Sequence, residues 1–237
     1  MRMDALTLLR LFSPADLAAA TLTLAGGALL QWAIETPNLS RPSVSQILTS
    51  YRRDWMREFV TRQPRIFDAT ILDGLRQGIT FYASSCLLAL GAGLALLADT
   101  APLQGLAQSF DLASDPALLV KAKILFTLGF VVNAFLKFVW SHRLFGYCSV
   151  LMASVPNDPN HPRAYERAAR AAEVNITAAR NYNRGLRSVY FALGSLGWLL
   201  GPWALLLTMT ATFATLTRRE FASQSRAAIV ARLSEDD

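Results

Sequence analysis

The chain has 237 residues, 53% of which are hydrophobic, and its mean hydropathy is +0.30. This apolar content is higher than a soluble chain of that length usually carries, which favours a protein that lies in lipid. The formal net charge is +6, but the basic residues flank apolar segments and form no familiar nucleic-acid-binding module. Nucleic acid is therefore excluded as a partner, and anionic phospholipids are expected instead.

The first apolar segment covers residues 15–34 and follows a basic N-terminal stretch, as a signal peptide does. The segment ends around the bulky Trp32, where a cleavage site would need small residues. We therefore expect it to be retained as the first membrane span.

Three further apolar segments cover about residues 77–98, 119–140 and 188–216. Each is long enough to cross a bilayer, which takes about 20 residues. The sequence thus predicts an all-α, polytopic transmembrane helical bundle of about four spans, with amphipathic helices in the loops 35–76 and 141–187, forming a single integral membrane domain over residues 1–237. The fourth segment is longer than a bilayer requires and contains Gly201-Pro202. We favour one long span kinked at the proline, with a re-entrant hairpin as the alternative.

The arginines predict the orientation. The two long loops, 35–76 and 141–187, carry seven arginines each, whereas the link 99–118 carries three aspartates and no basic residue. Positively charged loops stay in the cytoplasm, so both long loops are predicted to be cytoplasmic in a multi-pass protein of the bacterial inner membrane. The tail after residue 216 conflicts with four simple spans, because it is basic and would lie outside. A hairpin at Gly201-Pro202 would remove this conflict.

An amphipathic helix is predicted in the first loop, starting at Pro42-Ser43 and stopping at Gln63-Pro64. Its apolar stripe consists of Val44, Ile47, Leu48, Tyr51, Trp55 and Phe59. Such a helix either lies in the membrane interface or packs on the second loop. After Pro64 the chain is expected to continue as one helix into the second span, with Asp68 and Asp73 pairing with nearby arginines.

Three arginines share one helix face just before the fourth span, because Arg180, Arg184 and Arg187 follow an i, i+4, i+7 spacing. Like charges at this spacing repel, so we expect lipid phosphates, Asp68 or Asp73, or an acidic partner protein to compensate them. The residues predicted to contact lipid or a partner are Arg52, Arg53, Trp55, Arg57, Arg76, Arg180, Arg184 and Arg187.

Two similar stretches each place an arginine at the start of an apolar segment: GLRQGITFYAS at 74–84 and GLRSVYFALGS at 185–195. We interpret both arginines as anchors at the cytoplasmic ends of spans, with an internal duplication as the alternative explanation. Small residues four apart, at Ser85, Ala89 and Gly93 and at Gly197 and Gly201, are typical of helices that pack closely in lipid.

The sequence shows no pattern of a catalytic, cofactor-binding or metal-binding site. Its two histidines and two cysteines, Cys86 and Cys148, have no partner at ligand spacing, and the cysteines are expected to be buried and unbridged. The polar residues of interest within a span are Asn133 and Lys137. Lys137 is expected to extend its ammonium to the interface or to form a local ion pair, with a transport or proton-relay role as the alternative.

Several stretches together resemble the bacterial members of DUF599, a family of uncharacterised membrane proteins. They are YRRDWMREF (51–59), FYASSCLL (81–88), FVWSHRLFGYCSVLMASVP (138–156), NYNRGLRSVYF (181–191), PWALLL (202–207) and RREF (218–221). The resemblance implies a multi-span membrane protein without an assigned activity, and it supplies no catalytic residues.

The leading hypothesis is a non-enzymatic accessory, scaffold or assembly protein of the inner membrane, which acts in a complex or as a homo-oligomer. The alternative is a small-solute or ion transporter or channel that uses Lys137, Asn133 and the broken fourth span. A lipid-modifying enzyme is a third hypothesis, which the lack of an evident general base disfavours. No cofactor is expected.

Overall fold

The computed structural model describes residues 12–36, 41–109 and 116–231, and these residues form helices and connecting turns without a strand. The helices are α1 (Pro14–Glu35), α2 (Val44–Phe59), α3 (Ile66–Ala98), α4 (Ala101–Ser109), α5 (Ala117–Ala153), α6 (Ala164–Ser195), a 3₁₀ helix (Leu196–Leu200), α7 (Pro202–Phe221) and α8 (Gln224–Ala231). The predicted all-α fold is therefore confirmed for this part of the chain.

Helices α1, α3 and α5 are long and apolar enough to cross a membrane, which indicates a membrane protein. They contain the first three predicted spans, but α3 begins already at Ile66 and α5 continues to Ala153. Large apolar side chains on all three point away from the protein, among them Leu22, Phe81 and Leu125. Such a surface is suited to contact with lipid chains.

The fourth predicted span is two antiparallel segments. Helix α6 ends at Ser195, the 3₁₀ helix follows, and the chain reverses at Gly201, whose φ of +114° is open to glycine but strained for other residues. Pro202 then begins α7, where its missing N–H is not needed. The hydroxyl of Thr208 donates to the carbonyl of Gly194 at 2.6 Å across the hairpin. The favoured single bent helix over 188–216 is thus wrong.

The hairpin packs beside α1. Near the start of α1 the indole of Trp198 donates to Asp16 Oδ1 at 2.7 Å, and near its end Arg184 contacts Glu35. We call the end of the bundle that contains Glu35, Arg184 and α2 the basic end, and the end that contains Asp16 and Trp198 the opposite end.

Helix α7 runs from the opposite end back to the basic end, where the hydroxyl of Ser45 donates to Glu220 Oε1 at 3.1 Å. Arg218, Arg219 and Arg226 therefore lie at the same end as both long loops, which removes the conflict raised by the basic tail. Arg232, like Asp111 and Asp115 of the link, lies outside the described residues.

Helix α2 begins where the sequence predicts it, because the Ser43 side chain caps it by accepting from the backbone N–H of Gln46 at 3.2 Å. Its apolar face packs within the protein: Met56 and Phe59 are buried in the same core as a row of alanines on α6. Of the two alternatives for this helix, packing on the second loop is therefore the one that the structure shows.

One of the two aspartates that were predicted to pair with arginines does so beside the α2–α3 turn. Asp68 is fully buried and accepts hydrogen bonds from Arg62 at 2.5 Å and from the indole of Trp55 at 2.6 Å. Asp73 is exposed and accepts from the amide of Gln77 at 2.7 Å. The expected pairing with arginine is thus present at Asp68, while the hydrogen bond of Asp73 comes from a glutamine.

Candidate functional site

A shared ion pair joins α1 to α6 at the basic end. Arg184 Nε donates to Glu35 Oε1 at 2.9 Å, and Arg187 Nη2 donates to the same carboxylate oxygen at 2.8 Å. Arg187 Nε also donates to Gln31 Oε1 at 2.8 Å. The anion that compensates these arginines is therefore Glu35, the last residue of α1, and not the predicted Asp68 or Asp73.

The arginines that were predicted to contact lipid or a partner differ in how exposed they are. Arg187 is only 4% exposed, so its guanidinium lies inside the protein and not at the lipid surface. Arg180 is exposed and lines a cavity of about 60 Å³ between α1, α2 and α6, together with Arg52 and Arg187. A cavity of this size has room for a few water molecules.

Three predicted contact residues on α2 instead hold this helix in place. The guanidinium of Arg52 donates to the buried amide oxygen of Asn175 on α6, and burial lowers the pKa of Arg52. Arg53 Nε donates to Glu173 Oε1 at 2.7 Å, and this hydrogen bond raises the pKa of Arg53. Trp55 binds Asp68. Helix α2 thus contacts α6 and α3 through the residues that were expected to face lipid or a partner.

The other two predicted contact residues line separate grooves. Arg57 is exposed, and with Tyr165 it borders a groove of about 350 Å³ between α2 and α6. Arg76 is half-buried at a cavity of about 340 Å³ between α3 and α5, near Asp73. The Nε atom of Arg76 is buried and has no hydrogen-bond partner among the described residues.

A third cavity brings the two predicted intramembrane polar residues together. Asn133 and Lys137 line a space of about 410 Å³ between α1, α5 and α6, and Arg184 lines it as well. The amide of Asn133 donates to Ser188 Oγ at 3.0 Å. At the deep end Thr23 is 2% exposed, and its hydroxyl has no hydrogen-bond partner among the described residues. We call this space the lateral cavity.

One face of α3 is uncovered along much of its length. Ile66 and Phe67 are 67% and 58% exposed, and a side chain added at Gly74 or Gly78 would meet no atom within 4 Å. Tyr82 of α3 lies at about the same height in the bundle as Arg184 of α6, because its ring centroid is 6.0 Å from that of Tyr182. Phe67 thus lies roughly 22 Å beyond this level, at about 1.5 Å per residue.

Several residues of these sites were missed in the sequence, notably Glu35, Gln31 and Thr23. Gln31 and Glu35 lie four residues apart at the end of the first apolar segment, so they share a helix face. That spacing was the available signal for a polar contact there. Among the residues that the structure describes, no three His, Cys, Asp or Glu side chains cluster as metal ligands would.

A family model matches residues 18–225 of the chain, a range that contains every site described above, and its description is a protein of unknown function, DUF599. No curated protein and no solved structure matches the chain.

Proposed function

The chain belongs to DUF599, a family of unknown function, and we propose that it is a non-enzymatic accessory, scaffold or assembly protein of the bacterial inner membrane. The observation that carries this proposal is the uncovered apolar face of α3 around Ile66, Phe67 and Ile71. Such a face needs another protein to cover it if it lies outside the lipid.

We place the basic end in the cytoplasm. In this arrangement five segments cross the bilayer. They are α1, the parts of α3 and α5 toward the opposite end, residues 185–200, and α7. Both arginine-rich loops and the described part of the basic tail then lie on one side, as the positive-inside rule favours. The glutamate and arginines of the shared ion pair would lie near the cytoplasmic headgroups, where polar groups are tolerated in a membrane protein.

With this orientation the first three turns of α3 extend into the cytoplasm, beyond the reach of lipid chains. Exposed apolar patches in water mark interaction surfaces of proteins. Gly74 and Gly78 continue the same helix toward the membrane with the spacing that lets another helix approach closely. The contact region is thus assigned to α3, because the aromatic side chains of α2 already contact the rest of the chain: Phe59 is buried, Trp55 donates to Asp68, and Tyr51 donates to the carbonyl of Ile229.

Purification in a mild detergent from the native membrane tests this role. We expect the tagged full-length protein to bring down a stoichiometric partner, or a second copy of itself. The double variant Phe67→Asp, Ile71→Asp should lose that partner, because it places two charges on the apolar face.

Tyr165→Asp is the matched control, since Tyr165 is 47% exposed on α6 and lies outside the α3 face. It should keep the partner. A wild-type protein that elutes as a lone chain, or a double variant that retains its partner, would contradict the proposed role.

The lateral cavity favours one alternative, the transport of a small solute or ion past Lys137 and Asn133. Toward the opposite end, however, the ring of Phe126 packs on two others. Its centroid lies 5.2 Å from that of Phe130 and 5.0 Å from that of Trp198. A solute would have to displace these rings to cross. If Lys137→Met and Asn133→Leu still complement a deletion strain fully, the transport hypothesis fails.

A further inference from the structure

We propose that the lateral cavity binds one anionic phospholipid of the cytoplasmic leaflet, with its phosphate at Lys137 and Arg184 and the start of an acyl chain beside Phe130 and Phe191. This goes beyond the proposed assembly role and does not depend on the α3 face. It requires that α1, α5 and α6 lie in the bilayer with the basic end toward the cytoplasm.

The lining of the cavity changes from polar to apolar along its length. Gln31, Lys137 and Arg184 line the part near the basic end, whereas Leu24 and Phe130 line the deeper part. The distance along α1 from Thr23 to Gln31 is about 12 Å, at about 1.5 Å per residue. A headgroup followed by an acyl chain matches this gradient, while a soluble anion would leave the apolar half of the cavity unfilled.

The charges at the mouth are not balanced. Arg184, Arg187 and Lys137 bring three positive charges to this region, against two carboxylates: Glu35, which both arginines share, and Glu220, which also acts on Arg187. Lys137 has no acidic partner among the described residues. A lipid phosphate would supply the missing negative charge, and each basic residue near a surface typically adds about 1 kcal/mol to the binding of anionic lipid.

The hydroxyl of Thr23 lies at the deep end of the cavity. Its Oγ1 is buried without a hydrogen-bond partner, although a buried hydroxyl is normally paired because leaving it unpaired is costly. Thr23 lines the deep half of the cavity, about 12 Å beyond Gln31 along α1, which is the depth of the acyl chain of an inserted lipid and not of its ester groups. The assignment of an anionic lipid therefore rests on the charges at the mouth of the cavity and on the change from a polar to an apolar lining.

Native mass spectrometry of the delipidated full-length protein in detergent tests the site. We expect one phosphatidylglycerol to bind per chain, and phosphatidylcholine at the same concentration to bind several-fold more weakly. Inorganic phosphate should not bind detectably. Lys137→Met should weaken phosphatidylglycerol binding about fivefold, the factor that corresponds to about 1 kcal/mol, whereas Lys137→Arg should keep it.

A second pair of variants tests the cavity without changing its charge. Ala28→Trp should fill the cavity and remove the bound lipid, because Ala28 lies in its lining. The neighbouring Leu29 is 64% exposed and lies outside the lining, so Leu29→Trp should bind lipid as the wild type does.

Equal binding of both lipids would overturn the proposal, and so would undiminished phosphatidylglycerol binding by Ala28→Trp or Lys137→Met. Inorganic phosphate that binds as tightly as the lipid would overturn it in favour of a soluble anion. Because co-purification of a protein partner is not part of this experiment, its failure is distinguishable from a failure of the assembly role.

Discussion

The tripeptide Gly-Leu-Arg occurs at residues 74–76 and 185–187, and its two copies lie in opposite surroundings. A side chain added at Gly185 would come within 2.7 Å of the Phe138 ring, whereas one added at Gly74 would meet no atom within 4 Å. Arg187 is held by Glu35 and Gln31, but the Nε of Arg76 has no partner among the described residues.

The difference shows that one local pattern serves two purposes. In α6 the small residue lets α5 approach, and the arginine closes a contact with α1. In α3 the glycine lies on a face that the chain leaves uncovered, which is the face that we assign to a partner, while Arg76 lines the cavity between α3 and α5. Substitutions at four positions, in order of decreasing expected effect, test this contrast.

Glu35→Leu should destabilise the protein most. It leaves the buried guanidinium of Arg187 without its hydrogen-bonded carboxylate, and breaking a buried ion pair typically costs about 3–5 kcal/mol. Thermal or SDS-induced unfolding in detergent would show the loss as a lower midpoint. Glu35→Gln, which keeps one acceptor, should lose less. A midpoint equal to that of the wild type for Glu35→Leu would mean that the pair does not join α1 to α6.

Gly185→Val should be the next most damaging change. The added side chain overlaps the ring of Phe138, and overpacking of this kind costs about 1–3 kcal/mol. Combining it with Phe138→Leu should recover part of the loss in the same unfolding assay. The matched change Gly74→Val should lower the midpoint less, and an equal loss at both glycines would contradict the difference in packing.

Gly74→Ala should raise the stability of the isolated chain, because alanine is favoured over glycine inside a helix by about 0.5–1 kcal/mol. The same change should weaken association with a partner if another helix approaches at Gly74 and Gly78. Unfolding of the purified chain and co-purification of the partner measure the two effects separately. A loss of stability in the isolated chain would mean that this face is already packed.

Arg76→Gln should change stability least, within about 0.5 kcal/mol, as is usual for a substitution away from a defined interaction. Arg187→Gln is its counterpart in the other copy and should cost clearly more, since it removes the hydrogen bonds to Glu35 and Gln31. Comparing the unfolding midpoints of the two variants tests whether Arg187 contributes more to stability than Arg76. If both variants lose the same stability, Arg76 has a structural role equal to that of Arg187.

The positions of the helices could largely be predicted from the sequence. Apolar runs of sufficient length located α1, α3 and α5, because a helix in lipid must be apolar over about 20 residues. The cap at Ser43 and the absence of a break between Ile66 and Ala98 also follow from local chemistry. Helix was predicted in the loop after residue 140, but not that α5 continues without a break to Ala153, since this extension is stabilised by packing on α6.

The contacts of the site could be predicted only in part. The spacing of Arg180, Arg184 and Arg187 showed that they share a face, but a periodic pattern does not show which helix approaches that face. Glu35 was therefore missed as the shared anion. Asn133 and Lys137 were recognised as polar residues within an apolar segment, but nothing in their spacing placed Thr23 and Arg184 beside the same cavity.

The sequence by itself determined that the chain is helical and apolar enough for a membrane, and which residues share each helix face, because these properties depend on neighbours along the chain. Only the tertiary structure decided that the chain reverses at Gly201 and that Glu35 meets Arg184 and Arg187. It also decided that Gly185 packs against Phe138 while Gly74 is uncovered, and that Arg187 is held by Glu35 and Gln31. These outcomes depend on contacts between residues distant in sequence, where the fit of Gly194 and Gly197 against α7 outweighs the tendency of an apolar segment to continue.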